Sequence, residues 1–396
     1  MSLPTVSSSD WTIAFEGDFR TSFCQTLRDL RLDELQRFPP PKVDGLPIGH
    51  ELRIAGRFLS GGSSMLDPSA LSGVYRRLTS ATQQALYRGL ALGEPLSRPQ
   101  WESLIGREAV DQWVERGLLT TAADDRLACR FRVIVLGPLR FVIDHPDPSI
   151  LLRIHIGQDS LNMVEFLAHH ARDVDGTMLD VGTGSGLQLL TSGRKRSSAL
   201  GVDINPRAVR IARLNVEINA ASTCRIEERN AFDREWKPAP FRLVTWNTPF
   251  MFFPDSEVAN NLDGHGGHLG IALTLSFVER LVELLDPAGV AFLLSAAPVM
   301  FDGQNQLEIE LADRAQRCRL DITTFVLQKF WDRDHIEFHH AHSIRSFESV
   351  MIRIRHGEGR FQRVSPGPFQ RSVDALRTLL HGRHGGIARP SKRTTG

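Results

Sequence analysis

Cysteine is scarce in this chain, and the little there is lies scattered. Cys24, Cys129, Cys224 and Cys318 are all there are in 396 residues, and none forms a C-x-x-C pair. That spacing argues against a disulfide framework or a structural zinc site, and it fits a reducing cytoplasm. Long apolar runs are missing as well, so no membrane-spanning helix is expected. The opening residues, MSLPTVSSSDWTIAFEG, carry no basic segment followed by an apolar core, so no secretory signal is expected either. Neither sign of charge is in surplus: Lys and Arg number 47, Asp and Glu 46, for a net charge of +1. Such a balance gives no global pull toward nucleic acid or membrane and leaves only local patches to argue from. No internal repeat is visible. What remains is 41% hydrophobic and 23% charged, the composition of a globular protein of one to three domains.

One stretch stands out from this background. Residues 177–206 read TMLDVGTGSGLQLLTSGRKRSSALGVDINP. A short apolar strand, Met178 to Val181, runs into the glycine loop Gly182-Thr183-Gly184-Ser185-Gly186. A helix is expected from about Leu187, and a second apolar strand, Ala199 to Val202, ends on Asp203. This is the opening βαβ unit of a nucleotide-binding α/β sheet. The glycines permit a tight turn and close backbone approach to a ligand, and the acid at the next strand tip can bond a ribose diol. Gly182 and Asp203 stand 21 positions apart, near the roughly 20 that this arrangement uses. A dinucleotide loop, however, needs its third glycine where this chain has Leu187, and the lysine of a G-x-x-x-x-G-K-S/T phosphate loop is absent.

The segments D-V-G-T-G-S-G and G-V-D-I-N-P resemble motif I and its acidic partner in class I S-adenosylmethionine-dependent methyltransferases, and the resemblance spans about residues 150–355. It implies an α/β fold, a Rossmann-like seven-stranded sheet with its last strand antiparallel, and S-adenosylmethionine as cofactor. It also implies that Asp180, Gly182, Thr183, Gly184 and Gly186 cradle the methionine end, and that Asp203, with Ile204 and Asn205, takes the ribose. Asn230, Ala231 and Phe232 follow the third strand, Cys224 to Glu228, where the family meets adenine with a polar residue and an apolar cover.

The fourth strand, Phe241 to Trp246, ends in Asn247-Thr248-Pro249-Phe250. This is similar to the N-P-P-Y/F motif of methyltransferases that act on planar nitrogens, the adenine N6 and release-factor glutamine enzymes among them. A weakly nucleophilic NH2 must be held with its lone pair aimed at the methyl group. An asparagine oxygen and a backbone carbonyl accept its hydrogens while an aromatic ring stacks on the planar group, so catalysis is mainly positioning and charge stabilisation. The resemblance makes Asn247 the acceptor, with Pro249 and Phe250 beside it, and no metal is required. Thr248 replaces the motif's first proline, which is expected to loosen the turn.

Other candidates flank this pair of motifs. The segment I-H-I-G-Q-D-S resembles the element that precedes motif I in related enzymes; Asp159 and Ser160 would contact the methionine end or the substrate there, or else cap a helix. Asp263 to Gly270 is a glycine-rich stretch expected to be a mobile substrate loop. Its His265 and His268 could act as general base or substrate contact, or be solvated. His335, His339, His340 and His342 lack metal-ligand spacing and are expected in a loop rimming the pocket.

The chain divides into four expected parts. Residues 1–80 are helical or irregular. Residues 81–145 give three helices and a hairpin, the order of a winged helix. Residues 146–380 form the methyltransferase domain, and 381–396 a disordered basic tail. The third helix of the winged-helix-like part carries Arg107, Glu108, Asp111, Glu115 and Arg116, a poor surface for phosphates. The expected function is N-methylation of an amino or amide nitrogen in a small molecule, peptide or protein. The alternatives are a nucleic-acid base methyltransferase (adenine N6 or guanine N2) and a non-catalytic S-adenosylmethionine-binding regulator. The oligomeric state cannot be read from these residues.

Overall fold

The computed structural model describes residues 10–15, 17–30, 32, 80–122, 124–145, 152–259, 261, 263–332 and 334–365. The proline run Pro39 to Pro41, the segments Arg53 to Leu59 and Gly61 to Ser64, and the expected basic tail lie outside these residues, as does the proline-rich joint His145 to Ser149 except for His145 itself.

A 3-10 turn at Trp11–Ala14 precedes α1 (Asp18–Asp29). Next come α2 (Ala81–Leu86), continued by a π-helical turn at Tyr87–Leu92, then α3 (Arg98–Ile105) and α4 (Arg107–Glu115). Ser80 and Gln83 close a capping box that starts α2, each side chain bonding the other's backbone N–H. Four short strands follow: β1 (Leu119–Thr121), β2 (Leu127–Cys129), β3 (Phe131–Leu136) and β4 (Leu139–Asp144). The expected hairpin, Leu127–Val135 with Leu139–Ile143, is split. Arg130 turns aside to bond the Leu118 carbonyl, so β1–β2 and β3–β4 form two separate antiparallel pairs. The winged-helix reading goes no further than the order of these elements.

The second half is built on one sheet. In chain order its elements are α5 (Gln158–His170), β5 (Thr177–Val181), β6 (Ser198–Asp203), α6 (Pro206–Ile218), β7 (Cys224–Glu228) and β8 (Phe241–Asn247). Then come α7 (Asp255–Val258), α8 (Ala272–Leu284), β9 (Leu285–Met300), α9 (Gln306–Cys318), β10 (Leu320–Phe330), α10 (Ile336–Ala341), β11 (Ile344–His356) and β12 (Phe361–Val364). The spatial order is β7-β6-β5-β8-β9-β11-β10-β12, with β11 antiparallel to both neighbours, as expected. Eight strands replace the expected seven. The eighth, β12, pairs parallel with β10 at the edge. Its residues are mostly exposed and only half of them apolar, so it lacks the apolar run that marks a buried parallel strand. The chain winds outward from β5 through β6 to β7, then returns to β8 on the other side of β5. That reversal opens a crevice at the carboxyl ends of β5 and β8, where open α/β sheets bind ligands.

Helix α6 buries two faces. Val209 and Ala212 pack in the cluster that covers the sheet, whereas Ala208, Ile211, Leu214 and Ile218 join a core built from the N-terminal half. In that core Phe23 and Phe131 pack on Trp113 at centroid distances of 5.0 and 5.7 Å.

Candidate active site

The crevice is floored by the glycine loop. Gly182, Gly184 and Gly186 all take left-handed φ values, which only glycine adopts without strain. The turn brings the Gly184 N–H onto Asp203 Oδ2 at 3.0 Å, while Asp203 Oδ1 accepts from the Asn205 N–H at 2.9 Å. Burial raises the Asp203 pKa. Ile204, the next residue, is 55% exposed although apolar. Asn205 serves the fold, since its side-chain oxygen accepts from Arg207 N–H and caps α6.

Asp180 and Thr183 depart from the expectation. Both are buried; the Thr183 and Thr245 hydroxyls each donate to an Asp180 oxygen at 2.7 Å. Burial pushes the Asp180 carboxyl up to about 6. With both oxygens engaged beneath the loop, Asp180 braces it and does not line the ligand side.

The turn after β7 is held by a residue that the sequence patterns did not single out. Arg280 is 2% exposed and donates to the carbonyls of Ala231, Asp233 and Trp236. Its spacing with Phe277, Leu281 and Leu284 places a cation on the apolar face of α8, and that was the available signal. Asn230 is exposed, and its side-chain oxygen accepts from Phe232 N–H. Ala231 is buried, and Phe232 is half-buried edge-on to Trp246, with centroids 5.6 Å apart.

Across the crevice, β8 ends on Asn247. Its Nδ2 donates to Asp159 Oδ2 at 2.5 Å and to Ser160 Oγ at 3.1 Å. A carboxylate only accepts, so this contact fixes which end of the amide is nitrogen. The other end, Oδ1, is buried without a hydrogen-bond partner. Thr248 does not loosen the turn. Its N–H and hydroxyl both bond the Leu294 carbonyl, at 3.0 and 2.9 Å, and its hydroxyl also accepts from Thr274. Side-chain hydrogen bonds here replace the stiffness of a proline ring.

The glycine-rich stretch is strapped to this motif. Met251 N–H donates to the Gly264 carbonyl and Gly266 N–H to the Met251 carbonyl, at 2.8 and 2.9 Å. A Cβ at Gly266 would lie 2.6 Å from the Pro249 carbonyl and 2.2 Å from that of Gly270. The expected substrate loop packs as a wall against Pro249 and Phe250. His265 stacks on Phe253, and burial lowers its pKa. His268 is exposed and sits edge-on to Phe252. The hydrogen bonds of Asn247 go to Asp159 and Ser160, not to either histidine. The histidine run expected in a loop forms α10. His339 bonds the Phe252 carbonyl at 2.9 Å, and His335 bonds Asp332 and Glu257.

The strand order, the glycine loop with its acid and the asparagine tip now stand together, and residues 158–240 match the ribosomal protein L11 methyltransferase (PrmA) family. The sheet half is a class I methyltransferase domain. Two curated relatives are similar to it. A release factor glutamine methyltransferase of Rhodospirillum rubrum is 34% identical over 133 residues, which cover 29% of this chain and 38% of that protein. A Methanocaldococcus jannaschii protein carrying the name of a protein N5-glutamine methyltransferase is 27% identical over 124 residues, 30% of this chain and 61% of that one. The match thus spans less than two thirds of either relative. Among solved structures, Methanocaldococcus jannaschii TYW2 in complex with AdoMet is 13% identical, with a TM-score of 0.38 over 57% of this chain and 87% of that one. Trm5b of Pyrococcus abyssi is 12% identical, with a TM-score of 0.39 over 60% and 62%. Class I methyltransferases use S-adenosylmethionine, and the methyltransferase domain fits it: left-handed glycines, an acid at the β6 tip and an exposed isoleucine beside that acid. Among the described residues no helix is long and apolar enough to cross a membrane.

Proposed function

We propose that the chain methylates an amide nitrogen of a peptide or protein. One observation carries this reading: Asn247 Oδ1 is buried and unpartnered at the tip of β8, while its Nδ2 is held by Asp159 and Ser160. A buried acceptor without a donor is costly, and an N–H of the substrate would satisfy it. S-adenosylmethionine, when bound, supplies a sulfonium methyl whose bond to sulfur breaks as the bond to the acceptor nitrogen forms. The chain's own residues do the rest. Asp203 and the Gly184 turn would hold the ribose end, and Ile204 and Phe232 would flank the adenine. Asn247 Oδ1 and the Pro249 carbonyl would accept the two hydrogens of an NH2 group, keep its lone pair aimed and stabilise the positive charge that develops on nitrogen. One of those protons then leaves to water. The names of the two curated relatives, both glutamine methyltransferases, support the amide as acceptor. In α4, Asp111 is paired with Arg98, and the helix remains rich in acids, which disfavours a nucleic-acid acceptor.

The test is transfer of a labelled methyl group from S-adenosylmethionine to a cell extract fractionated into protein, nucleic acid and small molecules. Label is expected in protein and on an amide nitrogen; label in RNA or DNA alone overturns the reading. Asn247→Ala is expected to lower turnover by roughly 10²- to 10³-fold, the effect of losing one positioned oxyanion-type partner, with S-adenosylmethionine affinity nearly unchanged.

A further inference from the structure

The orientation of the Asn247 amide is enforced, and the enforcement comes from α5. Asp159 Oδ2 and Ser160 Oγ both face Nδ2, at 2.5 and 3.1 Å. Turned over, the amide would set two acceptor oxygens, its own and that of Asp159, against each other. The first turn of α5 is itself anchored to the cofactor side: Gln188, just past the glycine loop, donates to the Ser160 carbonyl at 3.3 Å and is 6% exposed. The preceding residue leaves room for the device. A Cβ on Gly157 would lie 2.2 Å from Asp159 Oδ1, so any larger residue displaces that carboxylate.

We infer that Asp159, assisted by Ser160, is a positioning residue that locks Asn247 with its oxygen toward the acceptor, so that the site accepts groups that donate a hydrogen and rejects those that present only oxygen. This rests on the reading of Asn247 as the acceptor's partner. It gives Asp159 a role different from contact with the methionine end or the substrate. An amide NH2 donates to Oδ1, whereas a carboxylate acceptor would meet a repelling oxygen. Without Asp159 the amide is free to turn and present Nδ2, and the discrimination is lost.

The experiment compares four variants in the labelled-methyl assay, with S-adenosylmethionine affinity and thermal unfolding measured in parallel. Asp159→Asn removes the charge. Gly157→Ala keeps the charge and displaces it. Asn247→Asp sets two carboxylates side by side, which repel. The double variant Asp159→Asn/Asn247→Asp reverses the pair: the new amide donates, and the new carboxylate offers its free oxygen inward. The first three are expected to lose turnover by about tenfold or more, with S-adenosylmethionine affinity held within about twofold. The double variant is expected to recover turnover above either of its singles. Full turnover in Asp159→Asn overturns the lock. So does a folded, cofactor-binding double variant that is no better than its singles, since Asp159 would then act through its own carboxylate. Failure of the underlying reading shows separately, because the unmodified protein would then place no label on an amide nitrogen.

Discussion

Asp180 is held by two threonine hydroxyls under the glycine loop, and its carboxyl is pushed up to about 6 because burial outweighs those bonds. An acid whose folded pKa is raised binds its proton more tightly folded than unfolded. Its contribution to stability is therefore complete below the usual carboxylate value and is lost as pH rises through about 6. A rise from 3.8 to about 6 corresponds to as much as ~3 kcal/mol. Asp180→Asn removes this slope. Urea unfolding between about pH 4 and pH 7.5 is expected to show the variant gaining on the unmodified protein as pH rises, by up to ~3 kcal/mol. Parallel stability curves would sink the assignment. Cofactor affinity should fall only modestly, since Asp180 braces Thr183 from below.

Between elements, one tie is ionic and buried. Arg207, in the first turn of α6, forms a two-pronged pair with Asp144 at the end of β4 and bonds Asp10 at 3.0 Å. Trp11 Nε1 and the Ile154 N–H complete the shell of Asp144, at 2.8 and 2.7 Å, and Arg210 reaches Asp10 at 2.6 Å. Burial opposes ionisation of Asp10, yet bonds from Thr12 and the charges of Arg207 and Arg210 prevail and lower its pKa. Its contribution is present above the usual carboxylate value and is lost as pH falls through the depressed one. Arg207→Met strands the fully buried Asp144 side chain and is expected to cost about 3–5 kcal/mol in denaturant unfolding; adding Asp144→Asn should return part of that loss. A loss within ~0.5 kcal/mol, the scale of a neutral surface change, would show the pair to be dispensable. None of this was legible beforehand, because Asp10, Asp144 and Arg207 are far apart in the chain and carry no periodic mark. The elements that were legible announce themselves locally. The strands β5, β6 and β8 are largely apolar runs closed by glycine, acid or asparagine, and their tips hold most of the candidate site. β12 has four residues, three of them exposed, and no pattern, and the histidine run of α10 reads as a loop because its helix is six residues long. Thr248 misled because proline stiffness and a hydroxyl network give the same turn by different means.

At the scale of the whole molecule, the N-terminal half and the methyltransferase domain share structure that neither can replace alone. Asn215 of α6 is fully buried and makes three bonds outside its helix: Oδ1 accepts from the Val142 N–H of β4 at 2.7 Å, and Nδ2 donates to the Val142 carbonyl and to the Ser185 carbonyl in the glycine loop. Asn219, one turn later, bonds both the N–H and the carbonyl of Arg140. The hairpin β3–β4 is thereby joined to the cofactor loop through one helix whose opposite face fills the N-terminal core. A chain starting at residue 152 would expose Ala208, Ile211, Leu214 and Ile218, leave Arg207 without its acids and remove the partners of Asn215 at Val142. Burying three or four such side chains is worth roughly 1.5–3 kcal/mol for each large one, comparable to the whole stability of a domain. The full chain is therefore expected to unfold in a single calorimetric transition, and the fragment to aggregate or to lose S-adenosylmethionine binding. Two separated transitions, or a fragment that binds S-adenosylmethionine as tightly as the full chain, would show that the N-terminal half is an appendage. The same coupling gives the hairpin a route to the active site: Asn215→Ala would remove the bond to Ser185 and should weaken S-adenosylmethionine binding without touching any group that faces the ligand.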